Sequence, residues 1–269
     1  MHTNKTAQSV SHIGKYKMTQ IKTFAQKFKG NSTYQLRKLT KSIDLYTKDI
    51  YQKSHLICYA NKAKGFGLMQ PLALKNFSDI VCKHLRPVLG DNVNFFTLVT
   101  GRYCFGKNNW NFDFGKIQSE TKKLLKGYSY IATVALEEFP KDRYLDEGIL
   151  MEPHVHGIIW NNPTRWERRK IISQIKTRGY RINPLDIRSR DIESAVQYAF
   201  KACFGGKRSY TNKNGKRVFA PTPITNKSLY ITFMKFKDCK IYDFAFAGRK
   251  GRKVLKNIIA EIENVKKAQ

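Results

Sequence analysis

Apolar side chains recur along this chain with two periods, one helical and one alternating, and the changes between them mark its elements. Leu36, Leu39, Ile43, Tyr46 and Ile50 repeat at helical spacing, which predicts at least one helix within residues 34–62. Residues 71–89 read as a second helix, opened by Pro71 and closed before Gly90. Runs rich in β-branched and aromatic residues predict strands at 95–100, 130–139, 153–160 and 185–188, with helices at about 116–126 and 163–176 between them. Asp191, a residue type favoured at the N-cap, opens a further helix over 192–204. From residue 95 the order is therefore strand, helix, two strands, helix, strand. That order predicts an α+β domain with an antiparallel sheet built around a split β-α-β unit. Residues 254–265 place Leu255, Ile258, Ile259 and Ile262 on one face. This C-terminal amphipathic helix is expected to dock on the core, with dimerisation as its alternative use.

The charged positions add a partner to this picture. Fifty Lys and Arg against twenty Asp and Glu leave +30 over 269 residues, far beyond what solubility needs, and a polyanion is the natural counterpart. Residues 1–92 carry 16 basic and 4 acidic side chains, residues 205–269 again 16 and 4, and the middle 18 and 12. Charge thus divides the chain into a basic, partly helical extension (1–92), a central domain (93–204) and a basic extension holding a loop and an amphipathic helix (205–269). The first 30 or so residues, polar and basic, are expected to be mobile. Residues 205–217, glycine-rich and basic, read as a loop that tracks phosphate or is disordered, and they lack the Gly-x-x-x-x-Gly-Lys-Ser/Thr spacing of a P-loop. Charge alone also fits a non-catalytic DNA-binding or structural protein. No apolar run approaches the ~18 residues of a membrane span and no secretory h-region opens the chain, so a cytoplasmic protein without a membrane partner is expected. Cys58, Cys82, Cys104, Cys203 and Cys239 show no paired spacing, which suits reduced thiols.

Candidate chemistry begins in Pro153-His154-Val155-His156-Gly157-Ile158-Ile159-Trp160. Strand side chains alternate between faces, so His154 and His156 share one and Val155 takes the other. The 130–139 strand, joined to this one by the polar stretch 140–148, predicts a hairpin that sets Glu137 and Glu138 opposite the histidines. Only one of two neighbouring glutamates can face them. Two imidazoles and a carboxylate make three ligands and leave positions open for water or substrate, as a catalytic divalent metal requires. On the helix after Asp191, Tyr198 and Lys201 are three apart and share a face, which places a phenol beside a cation.

Taken in order, Phe95-Phe96-Thr97-Leu98-Val99-Thr100, Pro153-His154-Val155-His156-Gly157-Ile158-Ile159 and Tyr198-Ala199-Phe200-Lys201 resemble the three motifs of HUH endonucleases. Within that group they are most similar to the rolling-circle replication initiators, or Rep proteins, of plasmids and single-stranded DNA viruses. The resemblance spans about residues 94–204 and implies a ferredoxin-like core with Mg²⁺ or Mn²⁺ on His154, His156 and one glutamate. Glu138-Phe139-Pro140-Lys141-Asp142 is similar to the family's stretch around its glutamate and favours Glu138; Glu137, which follows the apolar Leu136, stays open. Tyr198 is implied as the nucleophile, giving a 5′-phosphotyrosine and a free 3′-hydroxyl. An unperturbed phenol titrates at about pH 10, so Lys201 and the metal are the candidates for helping the phenolate form, and the lysine could equally steady the phosphate. Ser194 and Ala202 stand four residues to either side of Tyr198, as in a single-tyrosine enzyme. The implied partner is single-stranded or hairpin DNA at a replication origin, unwound by a separate host or viral helicase. A transposase or mobilisation relaxase uses the same three parts, and the oligomeric state stays open.

Overall fold

The computed structural model of this chain describes residues 32–62, 66–99, 113–139, 150–175, 184–201, 205–215 and 217–267. The readings of residues 1–30, of the connection 140–148 and of Cys104 and Cys203 lie outside the described residues.

Two helices occupy the first helical segment, α1 (Ser32–Tyr46) and α2 (Ile50–Ala60), separated where the Asp49 carboxylate accepts from Gln52 N. Helix α3 (Pro71–Leu89) takes the expected bounds, with Pro71 where a missing N–H costs nothing and Gly90 at a φ of 74° beyond its end. The anticipated order follows: β1 (Asn92–Leu98), α4 (Phe114–Leu124), β2 (Tyr130–Phe139), β3 (Leu150–Ile159), α5 (Arg165–Gln174), β4 (Leu185–Asp191) and α6 (Ile192–Ala199). Helix α6 stops at Ala199, so Lys201 follows the helix and does not lie on its face as expected.

The expected basic loop is instead a hairpin, β5 (Gly205–Thr211) and β6 (Arg217–Pro223). Its turn is Asn212-Lys213-Asn214-Gly215, where Asn212 Oδ1 accepts from Asn214 N and Gly215 adopts a φ of 70°. Glycine and charge in these strands hid an asparagine-glycine turn signal. The chain continues through α7 (Asn226–Phe236), a 3₁₀ turn (Ile241–Asp243), β7 (Ala245–Gly248) and α8 (Lys250–Lys267).

The strand order is β4-β1-β3-β2-β5-β6, with β7 also paired to β2. Strand β3 runs antiparallel between β1 and β2, and β4 antiparallel beside β1. The outer edge of β2 is shared: β7 pairs antiparallel with residues 130–133, and β5 pairs in parallel at Glu137 and Glu138. On one face of the sheet, Phe96, Ala132, Val134 and Val155 pack with Ile117 of α4 and Ile171 of α5. On the other, Phe95, Ile131 and Ile158 join side chains of α1, α3, α6, α7 and α8 in one core that reaches from Leu39 to Ile262. Residues of both charge-defined extensions thus share a core with the central strands. Helix α8 docks against α3, β2 and β7, with Ile258 and Ile262 fully buried. No helix among the described residues is long and apolar enough to cross a membrane.

Gly157 follows His156 on β3 because a side chain has no room there. A Cβ would lie 2.5 Å from both the Ile131 carbonyl oxygen and Phe96 Cε1, since the buried Phe96 ring lies across the strand. Gly157→Ala should therefore cost about 1–3 kcal/mol through overpacking. Thermal unfolding should show a midpoint lower by several degrees, and an unchanged midpoint would mean that Phe96 moves aside freely.

Candidate metal centre and nucleophile

Strand alternation and register assemble the site on the sheet face toward α6. Along β3, Glu152, His154 and His156 lie on this face, and across the ladder Glu137 stands opposite Glu152, Thr133 opposite His156, and Thr97 of β1 opposite His156 from the other side. Glu137, His154 and His156 are buried and offer ligand atoms that all lie within 4.8 Å of one another. The two histidines therefore come together as the sequence anticipates. Of the two glutamates, Glu137 joins them.

The preference for Glu138 is reversed by strand parity. Glu138, its neighbour on β2, points away from the site, and its carboxylate accepts from Thr225 Oγ1 at 2.9 Å and Ser228 Oγ at 2.8 Å at the start of α7. It stabilises a helix N-terminus, a favourable place for negative charge.

Among the described residues, three nitrogens lie against Glu137. His154 Nδ1 lies 3.1 Å and Lys207 Nζ 2.7 Å from Oε2, and Lys201 Nζ bonds Oε1. Burial acts to raise the pKa of this carboxyl, but Lys201, Lys207 and His154 outweigh it and hold it well below the usual carboxylate range. Burial pushes His154 down to about 4 against the pull of Glu137. His156 is held well below its ordinary value by burial, with Lys201 and His154 acting in the same direction. Both imidazoles are thus neutral at pH 7, the form that ligates a metal.

His156 Nδ1 is 3.0 Å from Thr97 Oγ1, while its buried Nε2 has no hydrogen-bond partner among the described residues. A buried ring nitrogen is rarely left so. It fits a divalent cation held together with His154 and Glu137, and two imidazoles with one carboxylate leave coordination positions for water or phosphate.

Helix α6 crosses β1 and β3, its N-terminus capped by Asp191, whose Oδ1 accepts from Ser194 N at 2.8 Å. It sets Tyr198 edge-on to His156 and Phe95, with ring centroids 4.9 Å and 5.3 Å away. Lys201 lies 4.3 Å from the Tyr198 centroid and hydrogen-bonds both Tyr198 and Glu137. Burial would lower the Lys201 pKa, but Glu137 and Tyr198 raise it overall, so the ammonium stays charged. Arg190 of β4 completes the surroundings, 5.1 Å from the Tyr198 ring and 4.9 Å from that of Phe95.

Sequence reasoning missed roles for Glu152, Lys207, Thr97 and Arg190. The alternation Glu152-x-His154-x-His156 carried the first in plain view. Lys207 was hidden when its strand was read as a loop, and Thr97 and Arg190 depend on pairing between distant segments. No protein-family model, curated protein or solved structure matches this chain.

The two glutamates make a sharp comparison. Glu137→Gln should abolish stoichiometric Mn²⁺ binding in titration calorimetry, whereas Glu138→Gln should bind as the parent does and lose about 1–3 kcal/mol of stability. Equal effects on binding would contradict the face assignment.

Acid should also weaken the metal-free fold in a defined window. His154 takes its proton at about 4 when folded and at 6.5 when free, so between these values the unfolded chain binds more protons and stability falls as pH falls. Glu137, depressed from 4.5, extends the loss further down. The thermal midpoint should drop between pH 7 and pH 4.5, and a flat profile would overturn the neutral-histidine assignment.

Proposed function

We propose that this chain nicks single-stranded DNA through attack of Tyr198 on a phosphodiester beside a divalent metal, as an HUH replication initiator does to begin rolling-circle replication. The observation that carries the reading is the contact of Tyr198 with His156 within the buried group that also holds Glu137 and His154. The order β4-β1-β3-β2, with β1 and β2 running alike on either side of β3, supports a ferredoxin-like core around a split β-α-β unit.

A metal held by Glu137, His154 and His156 would polarise the scissile phosphate and neutralise charge that develops on its oxygens. Tyr198 Oη gives its proton to water and forms the new bond to phosphorus, while the bond to the 3′-oxygen breaks with its electron pair and that oxygen takes a proton from water. The products are a 5′-phosphotyrosine and a 3′-hydroxyl. Lys201, held protonated by Glu137, acts through its charge and not as a base: its ammonium, beside the Tyr198 ring, supplies positive charge where the attacking oxygen meets the phosphate. Arg190, over the same ring, supplies a second cation where the phosphate must approach. The net charge of +30 supports a nucleic-acid partner. Helix α5 adds an exposed Trp166 with the Lys170 ammonium 5.3 Å from its ring, the pairing of aromatic face and cation that single strands bind.

Incubation with an end-labelled single-stranded oligonucleotide library and Mn²⁺ tests the reading. A covalent adduct should form and map by peptide analysis to Tyr198 alone. Tyr198→Phe, which keeps the ring contacts, should bind DNA and form no adduct, and Lys201→Ala should slow formation by about 100-fold without moving the attachment. Excess chelator should abolish cutting, and Mg²⁺ or Mn²⁺ should restore it. An adduct that persists in the phenylalanine variant, or cutting undiminished in EDTA, overturns the mechanism; binding with no cutting at all would leave a non-catalytic DNA-binding protein.

A further inference from the structure

We propose that Glu152 is a positioning residue of this centre: it holds the Nε2 proton of His154 and so makes His154 and His156 face the metal through different ring nitrogens. The inference rests on the metal reading above and adds to it a residue and a mode of ligation.

Glu152 is wholly buried, and its Oε2 lies 2.9 Å from His154 Nε2. The other nitrogen of that ring, Nδ1, is the one directed at Glu137, 3.1 Å from Oε2. His156 is turned the opposite way, with Nδ1 engaged by Thr97 and Nε2 without a hydrogen-bond partner among the described residues. The two rings stand at 83° with centroids 5.7 Å apart. The inward atoms are thus Nδ1 of His154 and Nε2 of His156.

The position of Glu152 is an expensive one for packing alone. It stands directly across the β2–β3 ladder from Glu137, and two buried acidic side chains placed opposite each other repel. The imidazole of His154 stands between them, within reach of both carboxylates. When one imidazole nitrogen gives its N–H to a carboxylate, the ring is held in one tautomer and one orientation. Its remaining lone pair also becomes a better donor to a metal. Glu152 therefore has the geometry to fix which nitrogen His154 presents and how strongly it binds.

Two readouts test this on the full chain. Mn²⁺ affinity, measured by titration calorimetry, should fall about 10- to 100-fold in Glu152→Gln and further in Glu152→Leu. Glu138→Gln, which removes a buried carboxylate that points away from the site toward the start of α7, is the control for a purely structural loss and should leave the affinity unchanged. Nitrogen-15 NMR of the Mg²⁺-saturated parent should show His154 protonated at Nε2 and His156 at Nδ1, with the His154 pattern lost in Glu152→Leu. Parental affinity in both Glu152 variants, or a His154 protonated at Nδ1, overturns the role of Glu152 while leaving the metal site standing. Failure of the parent itself to bind Mn²⁺ overturns the metal reading and this inference together.

Discussion

A carboxylate taken out of water is the constraint from which the rest of this molecule follows. An unpaired buried carboxylate costs several kcal/mol, and Glu137 avoids that cost because the Lys201 and Lys207 ammonium groups reach it from separate stretches of chain, with His154 Nδ1 beside them. Each partner fixes a different part of the fold. His154 requires β2 and β3 to pair in one register, Lys201 requires α6 to end where it does, and Lys207 requires β5 to lie against the last residues of β2. Removing any one leaves the others facing an imperfectly compensated charge, so local structure, packing and the proposed chemistry rest on the same four groups.

The shared outer edge of β2 explains how one strand serves both a core and a site. Along residues 130–133 the edge is closed by β7, whose Phe246 fills the apolar face, and α8 packs behind it. Only at residues 137 and 138 does β5 take over, running parallel, and it brings Lys207 to the carboxylate. Had β7 covered the whole strand, the ammonium groups would have had no route in. Division of the edge therefore separates an apolar half that stabilises from a charged half with chemical potential.

What was legible in the sequence follows the range of the interactions. Pro71 and Gly90 bound α3, and Asp191 caps α6, because capping is decided within four residues. The pairing of His154 with His156 was equally legible, since alternation needs no partner strand. The choice between Glu137 and Glu138 was not, because it depends on how β2 registers with β3 across a connection of ten residues (140–149), and a shift of one residue exchanges the faces. Lys201 was assigned to a helix that ends two residues earlier, yet its ammonium still reaches both Tyr198 and Glu137. The β5–β6 hairpin was misread because its strands carry glycine and charge where isolated strands carry β-branched residues; its pairing is supplied by β2.

Two consecutive buried glutamates on one strand would be unstable if either lacked its own set of donors. Glu137 faces ammonium groups and an imidazole, while Glu138 faces the hydroxyls of Thr225 and Ser228 at the first turn of α7. The two sets are not interchangeable. A slip of β2 by one residue would either turn Glu138 toward two lysines placed for its neighbour and take the carboxylate away from the α7 N-terminus, or leave those lysines facing the apolar Leu136, according to the direction of slip. Either error costs energy, so the pair acts as a lock on register. The same lock holds Glu137 opposite Glu152 and beside His154, which makes the geometry of the candidate centre a consequence of how the sheet avoids its most expensive mistake.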